Sequence, residues 1–139
     1  MASFVKFNSF VEALAEKVHN LGSDTLKVVL TNTAPNATDT QLSNITQISN
    51  GNGYTTGGTA ATISSSSQTS GTYKLVLADV VFTASGGSMG PFRYAVLCND
   101  TATNDELIGS WDYGSSITLA AGETFTVDFD PTNGVLQNA

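Results

Sequence analysis

"ASGGSMGPFRYAVLCND" (residues 84–100) sets a glycine cluster directly before a dense apolar run. Such a pattern serves either a loop that cradles phosphate or a turn that starts a strand. A phosphate loop needs G-x-x-x-x-G-K-[ST] ahead of a helix, so that backbone N–H groups, the helix dipole and a lysine converge on the anion. Here Gly86, Gly87 and Gly90 lead into Pro91, with no lysine close by. No helical pattern follows either, which removes the dinucleotide fingerprint. The glycines are therefore expected to supply positive-φ positions in a hairpin connection. Beyond them, alternation places Phe92, Tyr94, Val96 and Cys98 on one face and Ala95 and Leu97 on the other. Both faces are apolar, so this strand is expected at the centre of a sheet.

Period-two patterning extends outward from it. In "TLKVVLTN" (25–32), Leu26, Val28 and Leu30 face one way and Lys27, Val29 and Thr31 the other. Pro35 breaks that strand. Leu42, Ile45 and Ile48 recur every three residues, which predicts one or two helical turns capped by Asp39. "NGNGY" (50–54) and "TTGG" (55–58) read as turns, and "TAATISSSSQTSG" (59–71) as an edge strand or an exposed flap. "TYKLVLADVVFTA" (72–84) alternates as one bent strand or two short ones. "ELIGSWDYG" (106–114), "SITLA" (116–120) and "TFTVDF" (124–129) follow at the spacing of a sandwich or barrel.

The N-terminal segment differs. Phe7, Phe10, Val11, Leu14, Val18 and Leu21 recur at three-and-four spacing, which predicts an amphipathic α-helix over about 9–21. Ser9 and Glu12 match a capping box, and Gly22 suits the left-handed stop. The expected fold is one mainly-β domain over 1–139: an antiparallel β-sandwich or barrel, β-rich from about 24 to 137, with one N-terminal helix.

Composition narrows function. The 139 residues carry only 12% charged side chains, with five Lys or Arg and a net charge of −7. Too few cations are present to displace counterions from nucleic acid or to dock on an anionic membrane. The start lacks the apolar core and small-residue cleavage site of a signal peptide, and no stretch reaches membrane-spanning length. No motif calls for a cofactor. Cys98 is alone and sits in an apolar run, so it is expected to be a buried, inert thiol. His19, the one imidazole, lies near the end of the helix, where a solvent-facing cation complements the dipole. His and Cys are too few for a metal site of their own.

Carboxylates leave more room. Asp112, Glu123, Asp128 and Asp130 lie in the strand-rich half, and a glycosidase needs only two suitably spaced carboxyls. Asp128 and Asp130 fall on one side of a strand, where calcium is one occupant and plain solvation the other. In "GSWDYG" (109–114), Trp111 and Tyr113 share a face. They form either a platform for a sugar ring, with Asp112 as acceptor, or part of the core with Asp112 in solvent. Alternation favours the core.

Four blocks in order, "KFNSFVEALAEKVHNLGSDTLKVVLTNTAP" (6–35), "SGGSMGPFRYAVLCNDTA" (85–102), "LIGSWDYGSSITL" (107–119) and "GETFTVDF" (122–129), resemble small virion-associated structural proteins of tailed bacteriophages. The resemblance covers about half the chain and brings no catalytic residues with it. It implies a non-enzymatic virion part, foremost a capsid decoration (cement) protein on the head exterior. The implied partner is the major capsid protein or another virion protein, and the implied state a homo-oligomer such as a trimer. Phe4, Val5 and Phe7, at the helix entry, are the expected contacts; their structural alternative is a hydrophobic staple and core packing. The other functional expectation is a tail or fibre component that binds host glycans through Trp111, Asp112 and Tyr113.

Overall fold

A computed structural model describes residues 2–139. Its main sheet runs β1 (Val5–Lys6), β8 (Leu107–Leu119), β7 (Met89–Asn99), β2 (Leu26–Thr31) and β3 (Thr59–Ala61). A second sheet contains β10 (Leu136–Asn138), β5 (Thr72–Leu77) and β4 (Ile63–Thr69), and β6 (Val80–Thr83) pairs with β9 (Thr124–Val127). Every pairing is antiparallel.

Alternation dictates how these layers meet. Leu26, Val28 and Leu30 of β2 join Leu97 of β7 and Ile108 of β8 in the principal core. Leu75 and Leu77 of β5, with Val80 and Phe82 of β6, meet them from the smaller sheets. The result is sandwich-like, with the principal core between the main sheet and the other two. The opposite face of the main sheet carries a smaller cluster of Val29, Val96, Cys98 and Leu107, covered by Phe7, Ile45 and Leu42. Burial on both faces explains why β2 and β7 read as continuous apolar runs.

Central placement of "PFRYAVLC" agrees with the sequence, but its faces do not fully alternate. Tyr94 pairs with Asp112 and Phe92 with Ile117, so residues 113–116 of β8 stand opposite Arg93 alone. This break moves Phe92 into the principal core with Ala95 and Leu97, away from Val96 and Cys98. The glycine cluster begins as a turn, with Gly86 at φ 78°, whereas Gly90, at φ 118°, already lies within β7. It is not a hairpin, since β6 pairs with β9 whereas β7 pairs with β8. The turn carries the chain from one sheet to another.

Helix α1 (Asn8–Ala15) is shorter than the periodicity predicts. It starts one residue before Ser9, with Phe7 at the N-cap and no side-chain cap, so the Ser9–Glu12 box does not form. Phe7 is 2% exposed, and its burial fixes the entry in place of capping chemistry. The helix stops at Lys17, in the left-handed region at φ 70°. Val18 N–H donates to Ala13 O (2.9 Å) and Lys17 N–H to Leu14 O (3.5 Å), a Schellman closure five residues before Gly22. Leu42–Asn44 forms a single 3-10 turn capped by Gln41, not Asp39. No helix among the described residues is long and apolar enough to cross a membrane.

"TAATISSSSQTSG" supplies two edge strands, β3 and β4, in different sheets. "TYKLVLADVVFTA" is two strands, β5 and β6, also in different sheets. The turn "NGNGY" hides a core residue: Tyr54 is buried, its hydroxyl donating to Gln47 Oε1 (2.7 Å) and accepting from Leu30 N–H (3.3 Å). Close packing against β2 forces a glycine at 58, where a Cβ would stand 2.0 Å from Val28 O.

Candidate functional site

The two side chains most suited to nucleophilic or acid–base work lie inside the protein. Cys98 is 1% exposed on β7, and burial pushes its thiol up to about 12, so it stays protonated and inert. His19 is not a solvent-facing cap, because the early helix stop turns the chain inward there. It is 5% exposed, packed at a tilt beside Phe10 with ring centroids 5.4 Å apart.

Asn99, at the end of β7 and fully buried, organises that corner. Its amide donates to His19 Nδ1 (3.0 Å) and to Asp24 Oδ2 (2.7 Å), and its Oδ1 accepts from Thr101 N–H (3.0 Å) and Ala102 N–H (3.2 Å). With Nδ1 accepting, the ring proton belongs on Nε2, which has no partner among the described residues. Burial lowers the His19 pKa, opposed by the charges of Glu106 and Asp24. The imidazole is thus a neutral packing element. Sequence patterning gave no hint of Asn99; "ND" after a central strand is its only signal.

Asp130 and Glu123 are likewise committed to structure. Asp130 Oδ1 accepts from Thr132 N–H (2.8 Å) and Asn133 N–H (2.9 Å), and Oδ2 from Asn133 Nδ2 (2.9 Å). Those bonds hold its pKa below the usual carboxylate value. Asp128 and Asp130 lie past the end of β9 rather than within a strand, so strand alternation does not align them. Glu123 Oε1 accepts from Ala120 N–H (2.7 Å) within a turn. Among the described residues no three His, Cys, Asp or Glu side chains converge as metal ligands.

Two surface features remain. The first is the N-terminal edge of the main sheet. Val5 pairs with Ser110 and Lys6 with Gly109, so β1 covers only a short part of the outer edge of β8. Phe4 anchors it from one side, 5.3 Å from the Trp111 ring and directly over Gly109, where a Cβ would stand 2.0 Å from Phe4 Cε2. Phe7 anchors it from the other side within the smaller core. Burial withdraws Phe7 from any partner surface and leaves Phe4 partly covered, whereas Val5 is 59% exposed.

The second is a groove of about 230 Å³ where β8 arches away from β7, lined by Phe92, Arg93, Trp111, Tyr113, Phe125 and Asp128. Trp111 is half-buried, with the Phe129 ring edge-on at 5.5 Å, in addition to Phe4. Tyr113 is 57% exposed and meets Phe125 edge-on at 5.5 Å. Simple alternation would bury both rings; the break opposite Arg93 leaves Tyr113 outside. Asp112 faces solvent and binds Arg93 through two bonds, Nε to Oδ1 (2.8 Å) and Nη2 to Oδ2 (3.0 Å). The Arg93 hydrogen bonds lower the Asp112 pKa, aided by Gly114 N–H. No protein-family model, curated protein or solved structure matches the chain.

Proposed function

We propose that this chain is a non-enzymatic structural protein of a tailed-bacteriophage virion, decorating the head exterior by binding the major capsid protein. Support comes first from the likeness of four ordered sequence blocks to virion-associated proteins. The observation that carries the proposal is the N-terminal edge: Val5 stands 59% exposed on a strand pinned from both sides by Phe4 and Phe7. A rigid, exposed strand edge suits addition to a neighbouring sheet, where backbone bonds supply affinity and side chains specificity. Repeated attachment over a lattice multiplies a modest single-site affinity. The sequestered Cys98 and His19 favour a structural role over a catalytic one.

The direct test is co-sedimentation of the purified protein with heads that lack it. Saturable binding at lattice stoichiometry is expected, weakened several-fold by Val5→Lys. Binding to tails and not to heads would contradict decoration.

A second function, glycan recognition by a tail or fibre module, is favoured by one feature. Tyr113 and Trp111 flank a groove beside the planar Arg93–Asp112 pair, the aromatic-plus-polar chemistry that holds a sugar ring. Saturable quenching of Trp111 fluorescence by host cell-wall saccharides is its expected signature.

A further inference from the structure

The seven residues of β4 form the longest strand at an outer edge; β1 has two residues, and β3 and β10 three each. Its sequence, ISSSSQT, contains no charge, proline or glycine, so beyond the irregularity at Ile63–Ser65 nothing blunts this edge. β4 bonds only to β5, and no backbone group of residues 64–69 bonds elsewhere among the described residues.

The hairpin fixes which groups point outward. Thr69 pairs with Thr72 across Ser70 (φ 50°) and Gly71 (φ 85°), a two-residue turn with both central residues at positive φ. In such a hairpin the closing pair exchanges both backbone bonds, and pairs alternate from there. Thr69, Ser67 and Ser65 therefore direct their N–H and C=O groups toward β5, while Ser66 and Gln68 direct theirs away from it. An irregularity between Ile63 and Ser65 confines the regular edge to residues 65–69.

We infer that β4 pairs antiparallel with β4 of a second copy of this chain about a two-fold axis at Ser67. That register sets Ser66 opposite Gln68 of the second copy, and Gln68 opposite Ser66 of the second copy. Each pair exchanges both backbone bonds through the outward-facing groups. Ser67 meets Ser67 of the second copy, and Ser65 meets Thr69, so hydroxyls face hydroxyls across the junction. The match is self-complementary, as a two-fold interface requires. It also places no like charges opposite one another, in a chain whose net charge of −7 opposes self-contact elsewhere. The two three-stranded sheets become one continuous sheet. The pairing stands whether or not the chain sits on a virion.

Sedimentation equilibrium of the full chain over a concentration series tests this. The expected mass is about twice 14.4 kDa. Ser67→Lys and Ser67→Glu, both at an exposed position, should each give monomers with unchanged circular dichroism. Mixing the two variants should restore the dimer, because opposite charges then meet at the axis. A monomeric wild type, a trimer, or a Ser67→Lys dimer as tight as wild type would overturn the inference, as would failure of the mixture to reassociate.

Discussion

The two ends of β8 belong to one strand yet do opposite things. Leu107 and Ile108 are fully buried beside β7, with Gly109 packed under Phe4. Six residues on, the strand bulges outward before pairing again at Ile117: residues 113–116 arch past Arg93, and Tyr113 is 57% exposed. Burial on both faces holds the first end against β7 even though Ile108 is an extra residue between the Leu97–Gly109 and Cys98–Leu107 pairs. At the second, one face is free, so the backbone can bulge and present aromatic and charged groups together. Stability is concentrated where both faces are buried, and recognition surface where one face is free.

The sharpest way to break that contrast is to truncate each end. Ile108→Ala is expected to lose about 2–5 kcal/mol in urea denaturation, through lost burial and a residual cavity. Tyr113→Ala should shift stability by no more than about 0.5 kcal/mol, as surface changes do. Equal losses would dissolve the distinction. Gly109→Ala comes next, at about 1–3 kcal/mol, because its methyl group must displace the Phe4 ring. Combined with Phe4→Leu, the loss should be smaller than the sum of the two single changes.

A pH titration separates the ends by chemistry. His19 locks the buried end through Asn99, whose backbone N–H donates to Glu106 O beside Leu107. Its folded pKa lies below the ordinary 6.5. The unfolded chain therefore binds a proton first as pH falls. The contribution is complete above 6.5 and is lost as pH drops through the folded pKa. Melting temperature should decline on acidification below 6.5, and His19→Gln should flatten that decline. The smallest effect is expected at the open end, where Asp112→Asn removes an exposed ion pair with Arg93. Its change in melting temperature should vanish in high salt.

Repeated burial was also what made the fold legible. Leu26, Val28 and Leu30, or the apolar run 92–98, announce their strands because burial repeats with the period of the backbone. The helix was legible in kind but not in length. Leu14, Val18 and Leu21 keep helical spacing although the chain turns at Lys17, since a core position can be filled from a turn as well as from a helix. Ser9 and Glu12 matched a capping pattern that the deeper burial of Phe7 overrode. His19 and Asn99 meet across 80 residues of sequence, and such a contact leaves no local trace. The break opposite Arg93 was hidden for a related reason. It exists only in the register between β7 and β8, so alternation along β8 alone misplaces Tyr113.

The most direct test of a head-decoration role is cryo-electron microscopy of purified virions, tracing this chain within the density. The account predicts copies at regular lattice positions on the head exterior, with the edge around Val5 against the major capsid protein. Density confined to the tail, or a head surface without this fold, would contradict it.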